Sequence, residues 1–412
     1  MIFFYAYSFL FQFLNTYFGF LAILNPYVFS VFFIVIGFTK KVKKLNIKIL
    51  SVFFLMTISF LIIYSFKFSF IKSFLIAAKA IQFNYGYYLL IPGMTVLLSY
   101  FPQMKLNKIL QLTFWILSIE LLVEFVLIRI FGVSPGSFIH YPKVTHITQD
   151  KITGEYTANR LLGLTGNASV MGVIYSTSFF FYIGSVYSFT KKLLTKETIP
   201  IILTFIICFF MIISGSAFFA IIASLFIVWS TSKGNLFKNL LFGTAFFVTV
   251  LLLFSYLSRI TDVFGDKFTT RYLIFLLTKD DIQGSLPYLI YEMSIGYHWY
   301  NFFIGTYFFE WGNPNAVIKT VDFFYANVIY EFGLIGLIIF FYPIKVAYNV
   351  ISKGTIDLFF VRLGFLVLIF GSLHYPAIAY IASQVFISFM AAISIRDRGL
   401  SFGNKINSAM TK

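Results

Sequence analysis

Long apolar runs, cut by short basic clusters, fill most of the chain. Runs near the ~20 residues that cross a hydrocarbon core predict membrane-spanning helices. The pattern places spans at roughly 2–16, 20–38, 47–66, 85–101, 109–131, 168–189, 239–257, 323–344, 358–373 and 376–394. The run 199–230 is too long for one span, and Ser214-Gly215-Ser216 supplies a turn that divides it in two. The stretch 68–84 carries Lys72 and Lys79 at helical spacing among apolar residues and is read as lying in the outer interface. Helices fit better than a barrel, because backbone groups in lipid must be satisfied within each segment.

The basic clusters orient these spans. Lys40, Lys41, Lys43, Lys44, Lys105, Lys108, Lys191, Lys192, Lys196, Lys233, Lys238, Lys345, Lys353, Arg396 and Arg398 all fall on one side, which the positive-inside rule makes cytoplasmic. The expectation is an all-α polytopic membrane protein, one integral membrane domain over 1–412, with about twelve spans and both termini inside. Two polar loops then lie outside, 132–167 and 258–321.

Composition agrees. The chain is 59% hydrophobic and 11% charged, with a mean hydropathy of +0.89, more apolar surface than a soluble fold of this size can bury. The formal charge of +16 comes from lysines beside the spans, so it implies no nucleic acid. The apolar start lacks a basic n-region and a small-residue cleavage site, and is read as a retained span rather than a signal peptide. Cys208, the single cysteine, lies in an apolar run and implies neither a disulfide nor a metal cluster.

Candidate chemistry concentrates in the outer loops. Arg160, Arg259 and Arg271 sit just beyond predicted span ends, and a guanidinium offers a fork of donors suited to phosphate oxygens. Ordinary ion pairs with Asp262, Asp266 or Glu155 would explain them equally well. Within the spans, Glu120 and Glu124 are i,i+4 neighbours on one helix face, and Glu331 lies about two turns inside its helix. An ionised carboxylate in lipid is costly, so each must face the bundle or a wet cavity. They are read as a proton path, a base or an arginine anchor, or else as interhelical hydrogen-bond partners. Arg362, also within a predicted span, is a candidate partner for them.

Asp322 stands at the mouth of the helix that carries Glu331, as an N-cap or as a base for an incoming hydroxyl. His298, among Tyr297, Trp299 and Tyr300, reads as an interfacial aromatic cluster or a sugar-stacking surface. Gly333, Gly336 and Gly371 read as close-packing positions. No paired-histidine spacing, Walker sequence or Rossmann glycine pattern occurs, so no metal, ATP or NAD is expected.

Three segments carry a resemblance to the O-antigen polymerase (Wzy-type) family, within the group that includes O-antigen ligases. Arg160-Leu161-Leu162-Gly163-Leu164-Thr165-Gly166-Asn167-Ala168-Ser169-Val170-Met171-Gly172 resembles that family's arginine followed by a glycine-rich entry into a span. Ile213-Ser214-Gly215-Ser216-Ala217 is similar to its small-residue turn, without the arginine often found there. Asp322 through Gly336 resembles its polar residue followed by a Glu-x-Gly-Leu-Ile-Gly helix entry, and an aspartate where ligases often carry histidine favours polymerase.

The resemblance implies a GT-C-like glycosyltransferase in a bacterial inner membrane, active on the periplasmic face. It would need no nucleotide sugar and no cofactor, and would join oligosaccharide repeats carried on undecaprenyl diphosphate. Arg160 and Arg271 would hold the donor diphosphate, with Arg259 as a third contact. Asp322 would activate or orient the acceptor hydroxyl, and Glu331 and His298 would contact substrate or support the site. A chain-length regulator is the expected protein partner. Two rivals remain: a ligase that passes finished glycan to lipid A core, and a flippase or transporter of lipid-linked sugar.

Overall fold

The structure is a computed structural model. It describes residues 1–17, 25–40, 47–65, 85–131, 161, 163–212, 214–231, 301–305, 324–373 and 375–410, with 69, 71, 73, 74, 77, 78, 82 and 84. The expected span 239–257 and nearly all of the two outer loops lie outside the described residues.

Apolar runs become helices where the sequence offers a start. Helix α1 spans Ile2–Tyr17, α2 Pro26–Thr39 and α3 Ile47–Ser65. Asn25 caps α2 by accepting the Tyr27 N–H at 2.9 Å, just ahead of a proline whose missing N–H costs nothing at a helix start. Helix α4 runs Tyr87–Ser99, α5 Leu106–Arg129 and α6 Ala168–Thr190. The run after it divides into α7, Thr198–Ile212, and α8, Gly215–Ser230, at the expected turn. The Ser214 hydroxyl caps α8 on the Ala217 N–H at 3.2 Å. After a short helix α9, Asn301–Ile304, come α10, Phe324–Ile351, and α11, Leu358–Gly371. A 3-10 turn, Ala377–Ala379, leads into α12, Ile381–Met410. The described residues hold helices and turns and no strand.

Helices α5, α6 and α10 are long and apolar enough to cross a membrane, and α1, α2, α3, α4, α7, α8 and α11 are shorter apolar helices. Exposed apolar side chains form stripes at helical spacing, such as Phe54, Leu55, Ile58 and Ile62 on α3 and Ile119, Val123 and Val126 on α5. Water would oppose so much exposed apolar surface, whereas lipid tails favour it. Length and composition together make this a helical membrane protein.

Helix α6 is largely enclosed and packs against α5, α7, α8 and α11. Helix α4 packs against α2, α3, α10 and α12. Small residues set the spacing. A side chain on Gly93 would meet the Ser30 backbone, and one on Gly371 would overlap Val173, so α2–α4 and α6–α11 approach closely there.

On the lysine-rich side, arginines tie ends together. Arg396, 4% exposed, donates to the Phe101 carbonyl at 3.0 Å, the Met104 carbonyl at 2.6 Å and Asp397 at 2.8 Å. Arg398 donates to the carbonyls of Asn349 and Val350 at the end of α10, where a cation meets the negative end of the helix dipole. Helix α10 extends past its expected end at 344, through Pro343 and Lys345 to Ile351.

Candidate functional site

Two places on the bundle hold buried carboxyls. The first is on α5. The Glu124 carboxylate, 2% exposed, accepts the Gly163 N–H at 2.8 Å. The next N–H, that of Leu164, reaches Glu120. Both donors belong to the 3-10 turn Gly163–Thr165 that leads into α6. Gly163 (φ 61) and Gly166 (φ 65) hold left-handed conformations that glycine adopts at little cost, so consecutive N–H groups can point one way. Asn167 then caps α6, accepting the N–H groups of Ser169 at 2.9 Å and Val170 at 3.2 Å. Leu161, 3% exposed, anchors the chain on the other side of the turn.

Glu120 keeps one buried oxygen, Oε2, without a hydrogen-bond partner. The i,i+4 pair is thus a clamp on the chain just ahead of α6. Arg362, expected as a partner for these acids, is exposed near the start of α11 and pairs with neither, nor with Glu331. Backbone N–H groups meet the α5 carboxyls instead.

The second place is on α10. Glu331 is 5% exposed, and among the described residues nothing donates to its carboxylate. Two residues on, Gly333 has φ 69 and ψ −179, so α10 consists of two helical pieces joined at a non-helical residue. Close packing is the expectation for Gly333; its backbone instead breaks the helix. Gly305, with φ 79, brings the end of α9 against this point: a Cβ there would overlap the Glu331 carbonyl. Phe332 packs edge-on to Tyr85, with ring centroids 5.3 Å apart.

Of the six expected site residues, Glu331 alone is described. Asp322, Arg160, Arg271, Arg259 and His298 lie outside the described residues. Of the three segments carrying the resemblance, the first two meet: a Cβ on Gly172 would sit 2.6 Å from the Ser214 Cβ and 3.0 Å from the Ala217 Cβ. The third instead faces α4, where the Tyr85 hydroxyl donates to the Gly336 carbonyl at 3.2 Å.

Sequence reasoning missed the tyrosines of α4 and the segment just before it. Tyr87 donates to the Ile378 carbonyl at 2.9 Å and Tyr88 to the Ile339 carbonyl at 2.7 Å. Tyr27 donates to Gln384 Oε1 at 2.9 Å, and Gln384 in turn donates to the Ala379 carbonyl at 2.7 Å. The visible signal was the run Tyr85-Gly86-Tyr87-Tyr88 inside an apolar stretch. Among the described residues no group of three His, Cys, Asp or Glu side chains is arranged to hold a metal ion.

Fold and site together define a helical membrane protein with buried carboxyls on two of its helices. No family model, curated protein or solved structure matches the chain.

Proposed function

We propose that the chain is a polytopic membrane glycosyltransferase, with about twelve spans, that joins oligosaccharide repeats carried on undecaprenyl diphosphate at the outer face of a bacterial inner membrane. One observation supports this reading above others. Each polar outer stretch touches the bundle beside a buried carboxyl: the first at Glu120 and Glu124, through Gly163 and Leu164, and the second at Glu331, through Gly305. A bundle that only filled the membrane would have no use for such anchoring of its outer segments.

In this reading Arg160 and Arg271 grip the donor diphosphate and stabilise the charge that grows on it as the glycosidic bond breaks. Arg259 is a third contact. Asp322, ahead of α10, orients the acceptor hydroxyl, and His298 stacks on sugar. A chain-length regulator would be the protein partner.

The test is a gel of surface polysaccharide from a strain lacking the chain. Lipid A core bearing a single repeat, with the ladder lost, supports the polymerase. Core without glycan, and long chains left on the carrier lipid, would make it a ligase. Arg160→Ala and Arg271→Ala should each abolish chain growth at a normal protein level; unchanged chain length in both would sink the arginine assignment.

A second reading rests on the break in α10. Broken helices with an intramembrane carboxyl recur in transporters, where they bind the coupling ion. A flippase for lipid-linked sugar would instead leave repeats on the cytoplasmic side of the membrane in that strain.

A further inference from the structure

The carboxyls on α5 and α10 differ in one respect. Glu124 is met by the Gly163 N–H, and Glu120 by that of Leu164, so both have backbone donors. Glu331 is 5% exposed, and burial is the one influence on its carboxyl among the described residues. A buried carboxyl without a protein donor is costly, and water, an ion or a substrate group can meet it.

The surrounding backbone is built around this residue. Gly333 breaks the helix two residues after Glu331, in a conformation open to glycine alone (φ 69, ψ −179). Gly305 lays the end of α9 over the Glu331 carbonyl, and only a residue without a Cβ fits there. The segment 301–305 therefore touches the backbone of Glu331. Glu331 is the eighth of the 28 residues of α10, about 11 Å along the helix from its start.

Resting on the polymerase reading, we infer that Glu331 is a catalytic residue: its carboxylate accepts the hydrogen bond of the acceptor saccharide's attacking hydroxyl and takes its proton, while Asp322 orients the sugar through a neighbouring hydroxyl. An acceptor oxygen with no protein donor is free to bind that hydroxyl, and proton transfer to a positioned carboxylate is worth about 10²–10⁴ in rate. The hydroxyl oxygen forms the new bond to the anomeric carbon of the growing chain. The bond from that carbon to the lipid diphosphate breaks, and its electron pair leaves with the diphosphate. The proton passes to Glu331, and water removes it before the next turn.

The experiment uses the full chain purified into lipid nanodiscs and lipid-linked repeat extracted from the deletion strain. Initial rates of dimer formation against repeat concentration give kcat and KM for wild type, Glu331→Gln and Glu331→Asp. Glu331→Gln is expected to lower kcat about 10²–10⁴-fold and leave KM within a few-fold. Glu331→Asp keeps the acid but withdraws it by one methylene, and should retain measurable turnover at about a tenth or less of the wild-type rate. A wild-type kcat in either variant overturns the inference, and so does a loss confined to KM. Should Glu331→Gln fail to fold, the aspartate variant decides the question on the same terms. Wild-type protein that makes no dimer, or labelling of Glu331 by a hydrophobic carbodiimide that sodium blocks while the repeat does not, overturns the polymerase reading itself and points to ion-coupled transport.

Discussion

The Tyr88 hydroxyl donates to the Ile339 carbonyl at 2.7 Å, and Ile339 is the acceptor that Pro343 leaves unused. Proline at position 343 has no N–H for the carbonyl four residues back, so a tyrosine from α4 supplies the donor from outside the helix. That bond lets α10 continue through a proline inside a membrane protein.

Tyr88→Phe should therefore destabilise the protein by about 1–3 kcal/mol, the cost of leaving a buried carbonyl unpaired. Pro343→Ala restores an N–H at that position, so in its background the same substitution should cost distinctly less. Unfolding of the four proteins in detergent closes the double-mutant cycle. A coupling near zero would show that the hydroxyl and the proline act independently.

The clamp on α5 gives an ordered pair of effects. Glu124→Ala removes the carboxylate that accepts the buried Gly163 N–H, at a cost of about 1–3 kcal/mol. Glu124→Gln keeps an oxygen in place and should cost less. Glu120→Ala loses the bond from Leu164 but also removes a buried oxygen that has no donor, so its net effect should be the smaller of the two alanine variants. The ranking of unfolding midpoints checks the assignment, and a larger loss for Glu120→Ala would reverse it.

Arg396 should behave as a fork rather than as a charge. It spans the Phe101 and Met104 carbonyls and Asp397 at once, and Asp397 is half exposed. Arg396→Ala is expected to cost at least about 2 kcal/mol, since each bond to a charged donor is worth roughly 1.5–3 kcal/mol. Arg396→Lys should recover only part of that, because an ammonium cannot reproduce the planar geometry. Equal stability of the lysine variant and wild type would show that charge alone suffices.

Helix positions are legible in the sequence because unbroken apolar runs between basic clusters leave little choice, and the turn at Ser214 can be read from small residues alone. The shared face of Glu120 and Glu124 is legible too, since it follows from i,i+4 spacing. Their partners are not. The donors are backbone N–H groups of Gly163 and Leu164, about 40 positions further along, and a backbone group has no signature in sequence. The same holds for the tyrosines, whose acceptors Gly336, Ile339 and Ile378 are carbonyls in distant segments. Gly333 escapes a sequence reading because a glycine that permits close packing and one that permits positive φ look alike until the backbone is seen. Charge alone suggests that Arg362 pairs with the acids, whereas its place near the start of α11 leaves it exposed.

Gly333 and Gly305 provide the test of whether the break in α10 serves the site. Alanine at 333 must occupy φ 69 and ψ −179, a region closed to side chains, at a cost of about 1–3 kcal/mol, or else the two helical pieces realign. Either response moves Glu331 relative to α9. Gly305→Ala meets the same problem from the other side, through a positive φ and an overlap with the Glu331 carbonyl. Both variants should reach the membrane in reduced but measurable amounts, and polymer made per molecule should fall at least about tenfold, since a displacement near 1 Å at a reacting group can cost ~10² in rate. Gly184→Ala is the control: it crowds Phe360 on the α6–α11 contact near the lysine-rich end, and should lower the amount of protein while polymer per molecule holds. Quantitative blotting against the polysaccharide ladder separates the two responses. If polymer per molecule were unchanged in Gly333→Ala and Gly305→Ala, the break would be a packing feature of α10 with no part in the chemistry.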